Sequence, residues 1–305
     1  MYTPSEVQRG ISHPRLALYE LNRLYHQRGY RWTYNWKGID IFDEEWDSLI
    51  ILDACRFDMF EQYNTLPGEL TPKQSRGSST VDFLQGNFAG KSLLDTVYVT
   101  ANPQLYRNRD MLETSLHAII DIWQEDGWHD ELGTVLPETT TEYAKRAADR
   151  YPNKRLIVHF IQPHYPFIDA ETSFDKGQLE DPEIPPSFWK QMQMNELQIP
   201  ADRIWEAYIK NFEDVLPHVR ELISALDGRT VVTSDHGNMV GERCFPIPIR
   251  GWGHPRGIYT PQLVKVPWLV TGTGNRREIT EDPSDERQTV EDHVVEDRLE
   301  QLGYV

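Results

Sequence analysis

Five short apolar runs punctuate the chain: Leu49–Leu52, Val97–Thr100, Leu156–Ile161, Thr230–Thr233 and Val266–Thr271. Short runs of this kind, closed off by polar residues, predict strands buried on both faces. Between them the apolar spacing is helical. His13 to Tyr30 places Leu16, Tyr19, Leu24 and their neighbours on one side, and 111–124 ("MLETSLHAIIDIWQ") and 140–151 ("TTEYAKRAADRY") carry similar patterns. Ala201 to Leu226 sets Ile204, Tyr208, Phe212, Val215, Val219 and Leu222 at a 3.6-residue period, with Pro217 predicting a kink or a split. Strands alternating with helices predict an α/β fold, a mainly parallel sheet sandwiched by helices.

No internal repeat is visible, and residues 1–305 read as one domain. It carries a helical extension over 1–45 and an acidic tail with a closing helix over 275–305. The polar, proline-bearing and aromatic stretch Phe167–Pro200 is expected to cross one end of the sheet and carry substrate contacts.

Composition narrows the partners. The net charge of -17 argues against nucleic acid and anionic lipid. With only 9 Lys against 22 Arg, the acidic surface suits a high-salt cytoplasm as well as an ordinary one. No apolar stretch approaches the roughly 20 residues of a membrane span, and no secretory signal is visible, so a cytoplasmic protein is expected. Cys55 and Cys244 form neither a disulfide framework nor a zinc-ribbon spacing and read as free thiols. Oligomeric state is not legible.

Polar chemistry gathers at the strand ends, where ligands collect in open α/β sheets. The first run ends in Asp53, the third runs into His164, and the fourth ends in Asp235-His236-Gly237. His254 precedes the fifth. Each alone reads as a turn former, a cap or a loop residue. Jointly they place carboxylates and imidazoles at one edge. That donor set suits a divalent metal, Zn or Mn first, with Ca or Mg as alternatives.

These segments resemble a family. "LDACRFD" is similar to the LDxxRxD opening of the alkaline phosphatase–sulfatase superfamily, and "VVTSDHGNMVGE" to its SDHGxxxGE motif. "HFIQPHYPF" resembles the PHxPY loop, and "GWGHPRGIYTPQLVKVPWLV" the late segment before VPxxV. The resemblance implies an alkaline phosphatase-like fold with Asp53, Asp235 and His236 as metal ligands. It sets His164 and His254 around the transferred anion, and Arg56 and Asp58 as supporting groups, Arg56 helping to neutralise developing charge.

The family also needs a hydroxyl nucleophile at a helix N-terminus. In "SRGSSTVDFLQGNF", Gly77 is followed by Ser78, Ser79 and Thr80, with Thr80 the first choice, then Ser79, then Ser78. Ser79 to Asp82 reads equally as a capping box.

Two departures matter. Neither cysteine sits in C-x-P-S-R, so formylglycine sulfatase activity is not expected. The second carboxylate at the first strand is absent because Leu52 precedes Asp53, and Asp58 or the nucleophile is expected to fill that place. The function implied is a metal-dependent hydrolase or transferase acting on a phosphate ester, a phosphodiester, or a related sulfate or phosphonate ester. Its substrate would be an anionic small molecule or glycan ester. The alternative is a non-catalytic scaffold that binds an anionic ligand or partner.

Overall fold

The computed structural model describes residues 14–124, 127–168, 187–272, 275–283 and 292–304. Its strands are β1 (Ser48–Leu52), β2 (Glu69–Gln74), β3 (Ser92–Thr100), β4 (Ser115–Asp121), β5 (Trp128–His129), β6 (Thr134–Val135), β7 (Arg155–Phe160), β8 (Arg229–Thr233), β9 (Met239–Arg243), β10 (Arg250–Gly253) and β11 (Lys265–Gly272). The principal helices are α1 (Pro14–His26), α2 (Phe57–Tyr63), α3 (Thr80–Phe88), α4 (Pro137–Arg150), α5 (Phe188–Met194), α6 (Ala201–Ala225) and α7 (Asp292–Gln301).

Seven strands form the central sheet in the order β2-β11-β8-β1-β7-β3-β4. The neighbours from β8 to β4 are parallel, and β11 runs antiparallel to both β8 and β2. The unbroken apolar character of β1 follows from its central place. Ile50 and Leu52 enter the core on one face of the sheet and Leu49 and Ile51 the core on the other, as a strand with a period of two requires. β7 behaves likewise, with Leu156, Val158 and Phe160 on the first face and Ile157 on the second.

Two expectations are corrected. Part of 111–124 is strand, not helix. Leu116, Ile119, Ile120 and Trp123 satisfy a helical spacing, but a left-handed Glu113 ends the short turn before it. Pairing of Ser115–Asp121 along β3 then decides the matter. Pro217 neither splits nor ends α6, which runs unbroken over Ala201–Ala225. Pro217 lies on the solvent side, where a freed carbonyl can be hydrated, and the apolar stripe continues past it into the core. β2 has no apolar run because it is the exposed edge, where Pro72 is tolerated.

Most of the Phe167–Pro200 excursion, residues 169–186, lies outside the described residues. Its α5 buries Phe188, Trp189 and Met192. The closing helix α7 buries Val295 and Leu299, and Leu302 follows them into the same core. No described helix is long and apolar enough to cross a membrane.

Candidate active site

Adjacent parallel strands bring the two aspartates together. Ile51 pairs with Thr233, so Asp53 and Asp235 emerge two residues further along neighbouring strands. Ala54 follows in the left-handed region (φ 60°), at a cost of about 1 kcal/mol for a non-glycine residue. That twist aims its N–H at Asp235 Oδ1, 3.1 Å away. The His236 amide donates to the same oxygen at 2.8 Å. Gly237 is required here, since a Cβ would stand 2.1 Å from the Gln262 carbonyl oxygen.

His236 Nδ1–H donates to the Gly237 carbonyl at 2.7 Å, which leaves Nε2 with its lone pair. Nε2 stands 3.3 Å from Asp235 Oδ2, 3.5 Å from Asp53 Oδ1 and 3.3 Å from Thr80 Oγ1. Asp53 Oδ2 accepts from Asn102 Nδ2 at 2.7 Å and from the Tyr304 hydroxyl at 2.6 Å. A second imidazole also faces the carboxylates. His159, on the β7 face that carries Ile157, bonds Tyr98 through Nδ1 at 2.7 Å. Its Nε2 lies 3.6 Å from Asp53 Oδ2 and 3.9 Å from Asp235 Oδ2.

Three of these atoms are buried without a hydrogen-bond partner: Asp53 Oδ1, Asp235 Oδ2 and His159 Nε2. Polar groups buried in this way cost free energy unless something compensates them. Asp53, Asp235 and His236 each offer a ligand atom within 4.8 Å of the others. Donors sharing one tetrahedral ion at about 2.1 Å stand roughly 3.4 Å apart, close to the spacing seen here. The residues therefore fit a divalent cation.

The electrostatics agree. Burial and then the charge of Asp235 push Asp53 well above the usual carboxylate range, against the hydrogen bonds from Tyr304 and Asn102. For Asp235 burial pulls upward, but His236 and His159 outweigh it and its pKa falls. Burial also lowers His159 to about 4 and His164 to about 3, and holds His254 well below its ordinary value. The metal-free site thus carries excess negative potential and neutral imidazoles.

The three candidate hydroxyls separate cleanly. Ser78 is consumed by structure: it donates to Asp82 and accepts from the Gly257 amide. Ser79 caps α3, accepting from the Asp82 amide at 3.4 Å, one half of the capping box, while the Asp82 carboxylate turns to Ser78, Gly257 and Arg256. Thr80, the first residue of α3, turns its hydroxyl toward His236. Gly77 permits the approach, because a Cβ there would lie 2.6 Å from the Phe83 nitrogen and the Ser79 oxygen.

His164 and His254 meet Nε2 to Nε2 at 2.8 Å, and the His254 ring centre lies 4.7 Å from that of His236. Tyr304 stacks on His164 at 4.8 Å, and its hydroxyl lies 3.3 Å from Thr80 Oγ1. Thr80 is 1% exposed and Asp53, Asp235 and His236 are 0% exposed, so the site is closed to solvent.

Arg56 and Asp58 are placed elsewhere. Arg56 donates to both Asp58 oxygens, to Glu242 and to the Asn238 carbonyl, and covers the Trp205 ring. Among the described contacts it makes none with Asp53, Thr80 or the histidines. Asp58 therefore does not supply the absent carboxylate, being half-exposed and held by Arg56. His159 stands nearer that role. Its signal was legible as the one ionisable residue inside an otherwise apolar buried run. Asn102 and Tyr304 carried no such signal.

No family model matches the chain, and no curated protein matches it. Among solved structures it is similar to the C-terminal periplasmic domain of EptC from Escherichia coli in complex with Zn, at 16% identity and a TM-score of 0.46, covering 73% of this chain and 72% of that one. It is similar to the corresponding domain of the phosphoethanolamine transferase EptC from Campylobacter jejuni (14%, 0.44, 73% and 78%). A protein in the alkaline phosphatase superfamily from Vibrio parahaemolyticus is also similar (11%, 0.43, 85% and 67%). Likenesses of this size assign no residue a role.

Proposed function

We propose that this protein is a metal-dependent hydrolase or transferase of phosphate esters or phosphodiesters, with Thr80 as the nucleophile. The observation that carries the reading is the Thr80 hydroxyl, at the first position of α3 and 3.3 Å from His236 Nε2, beside two carboxylate oxygens that lack partners. Asp53, Asp235 and His236 would hold the cation, with His159 facing the same space. The chemistry a bound divalent ion supplies there is charge compensation and a lowered pKa for a neighbouring hydroxyl.

Thr80 gives up its hydroxyl proton, which passes by way of solvent to the His164–His254 pair. Its oxygen bonds to phosphorus as the bond to the ester oxygen breaks, and the phosphoryl group then passes from Thr80 to water or an acceptor hydroxyl. The α3 N-terminus presents the positive end of its helix to the developing charge. The His164–His254 pair lies where a leaving oxygen or the anion would be met. Neutral when the site is closed, the pair becomes more basic as an anion enters beside it, since opposite charge favours imidazolium. The proton it then holds can pass to the departing oxygen.

A phosphorus atom poised for attack needs to lie about 3–3.5 Å from Thr80 Oγ1. The Tyr304 hydroxyl stands 3.3 Å from that oxygen. Thr80 is 1% exposed, so part of the structure over it moves before substrate arrives, and Tyr304 is one of the groups at its oxygen.

A second reading, an anion-binding scaffold without turnover, is favoured by the complete burial of the site. One experiment separates the two: elemental analysis for bound metal, then turnover of aryl phosphomonoesters and phosphodiesters by wild type and Thr80→Ala. About one metal per chain and a fall of three or more orders of magnitude in Thr80→Ala are expected. Wild-type rates in Thr80→Ala would sink the nucleophile. Metal without turnover of either ester would favour the scaffold.

A further inference from the structure

A short way from the buried site lies an open cleft whose electrostatic sign opposes that of the chain. It measures about 980 Å³ and runs between the end of α1, the following loop to Lys37, the last residues of β2 and the Tyr259–Lys265 segment. Arg28, Lys37, Lys73 and Lys265 line it, and among the described residues no aspartate or glutamate does. In a chain with 48 acidic and 31 basic residues, that lining is a local reversal of charge. Lys73 is partly neutralised by Glu44 at 2.9 Å, but Arg28, Lys37 and Lys265 make no ion pair among the described residues.

The cleft also gathers aromatic surface. Tyr25, Trp36 and Phe245 line it, each between 45% and 58% exposed, and they are half of the six most exposed large apolar side chains among the described residues. Exposed apolar faces collected at one charged rim mark a binding surface. Arg28 and Lys37 both lie over Trp36, at 5.9 and 5.6 Å, so cation and ring are presented together.

The cleft is wired to the site by covalent continuity. Gln74 on its floor is followed by Ser75, whose amide donates to the Val264 carbonyl at 2.7 Å and whose hydroxyl donates to the Asp235 carbonyl. The same segment then reaches Thr80. Tyr259, on the opposite wall, follows His254 by five residues.

We infer that this cleft binds an acidic oligosaccharide. Apolar ring faces lie on Trp36, Tyr25 and Phe245, and spaced carboxylate, sulfate or phosphate groups meet Arg28, Lys37 and Lys265. Arg28 and Lys37 share the Trp36 ring, Lys265 lies against the Phe57 ring and Lys73 is paired with Glu44. The free positive charge is therefore sparse and set beside ring faces, which matches a ligand with intermittent charge. A nucleic acid, with a phosphate at every unit, would be repelled by the chain's charge of -17 beyond those cations. The further statement that this oligosaccharide is part of the ester attacked by Thr80 rests on the reading above; binding itself does not.

Isothermal titration of the full chain with a hexasaccharide in which uronate alternates with a neutral sugar, a neutral glucose hexasaccharide and a thymidine hexanucleotide tests the inference. The uronate is expected to bind, more weakly at high salt, while the neutral sugar does not. Arg28→Glu with Lys37→Glu should weaken binding about tenfold, and Trp36→Ala should weaken it at both salt concentrations. All three residues are exposed, so these variants should keep the wild-type circular dichroism. Unchanged affinity in the charge-reversed variant, equal binding of the neutral sugar, or tighter binding of the hexanucleotide would overturn it. If binding holds while Thr80→Ala keeps full turnover, the catalytic reading fails and the cleft stands.

Discussion

Strand β1 is flanked by two fully buried aspartates, and their surroundings are opposite. Asp47, just before the strand, accepts from the Arg229 amide at 2.8 Å, from Arg276 Nε at 2.9 Å and from the Arg277 amide at 3.3 Å. Burial alone would raise its pKa, but these bonds and the Arg276 charge outweigh it, and the pKa falls. Asp53, just after the strand, has no cationic side chain of Lys or Arg against it among the described residues, keeps one oxygen without a partner there, and has its pKa pushed up. The same residue type, equally buried, is closed at one end of the sheet and left open at the other. A carboxylate whose charge the fold has already compensated holds structure together. One whose charge it has not is positioned for a cation that arrives from outside.

Four measurements can break or sharpen that contrast. The largest effect is expected from Asp53→Asn, which should abolish metal binding and lower turnover by about three orders of magnitude. It should leave the metal-free protein at least as stable as wild type, because an uncompensated charge is removed. Elemental analysis with thermal melts in chelator checks both, and a less stable metal-free variant would break the contrast. Asp47→Asn should do the reverse, costing about 3 kcal/mol in denaturant melts with metal content unchanged.

The third concerns acid. His159 has its folded pKa near 4, below its ordinary value of 6.5, so the unfolded chain takes up that proton first. Stability of the metal-free protein should therefore fall as pH drops from about 6.5 toward 4, by about 3 kcal/mol for this one group. Asp53 acts in the opposite sense, its raised pKa favouring the folded state at low pH. Comparing wild type with His159→Gln cancels that contribution. The variant should lose less stability over the same interval, and parallel curves would show that His159 is not held neutral by burial.

The smallest effect is expected from Tyr304→Phe, which keeps the ring on His164 and loses the hydroxyl that reaches Asp53. It should cost about 1 kcal/mol and raise turnover a few-fold by loosening the segment over Thr80. A fall in turnover would mean that the hydroxyl assists the reaction instead of blocking it.

Much of this was legible in the chain itself. Residues buried on both faces must be continuously apolar, so β1, β7 and β8 announced themselves, and Asp53, His164, Asp235 and His236 could be placed at their ends before any coordinates. Ser79 as cap followed from local spacing, because a capping box involves only four consecutive residues. What the chain could not show depends on distant partners. β4 was disguised because its apolar spacing satisfies two periods and only pairing with β3 chooses between them. Thr80 was already the first choice from the chain, but excluding Ser78 required knowing that the loop after His254 folds back to occupy it. Arg56 looked catalytic beside Asp53, yet Asp58 and Glu242 turn it away. Tyr304 lies 251 residues from the carboxylate it touches. Burial and capping are imposed by near neighbours and leave a periodic trace, whereas a charge cluster is assembled by chain closure, which leaves none.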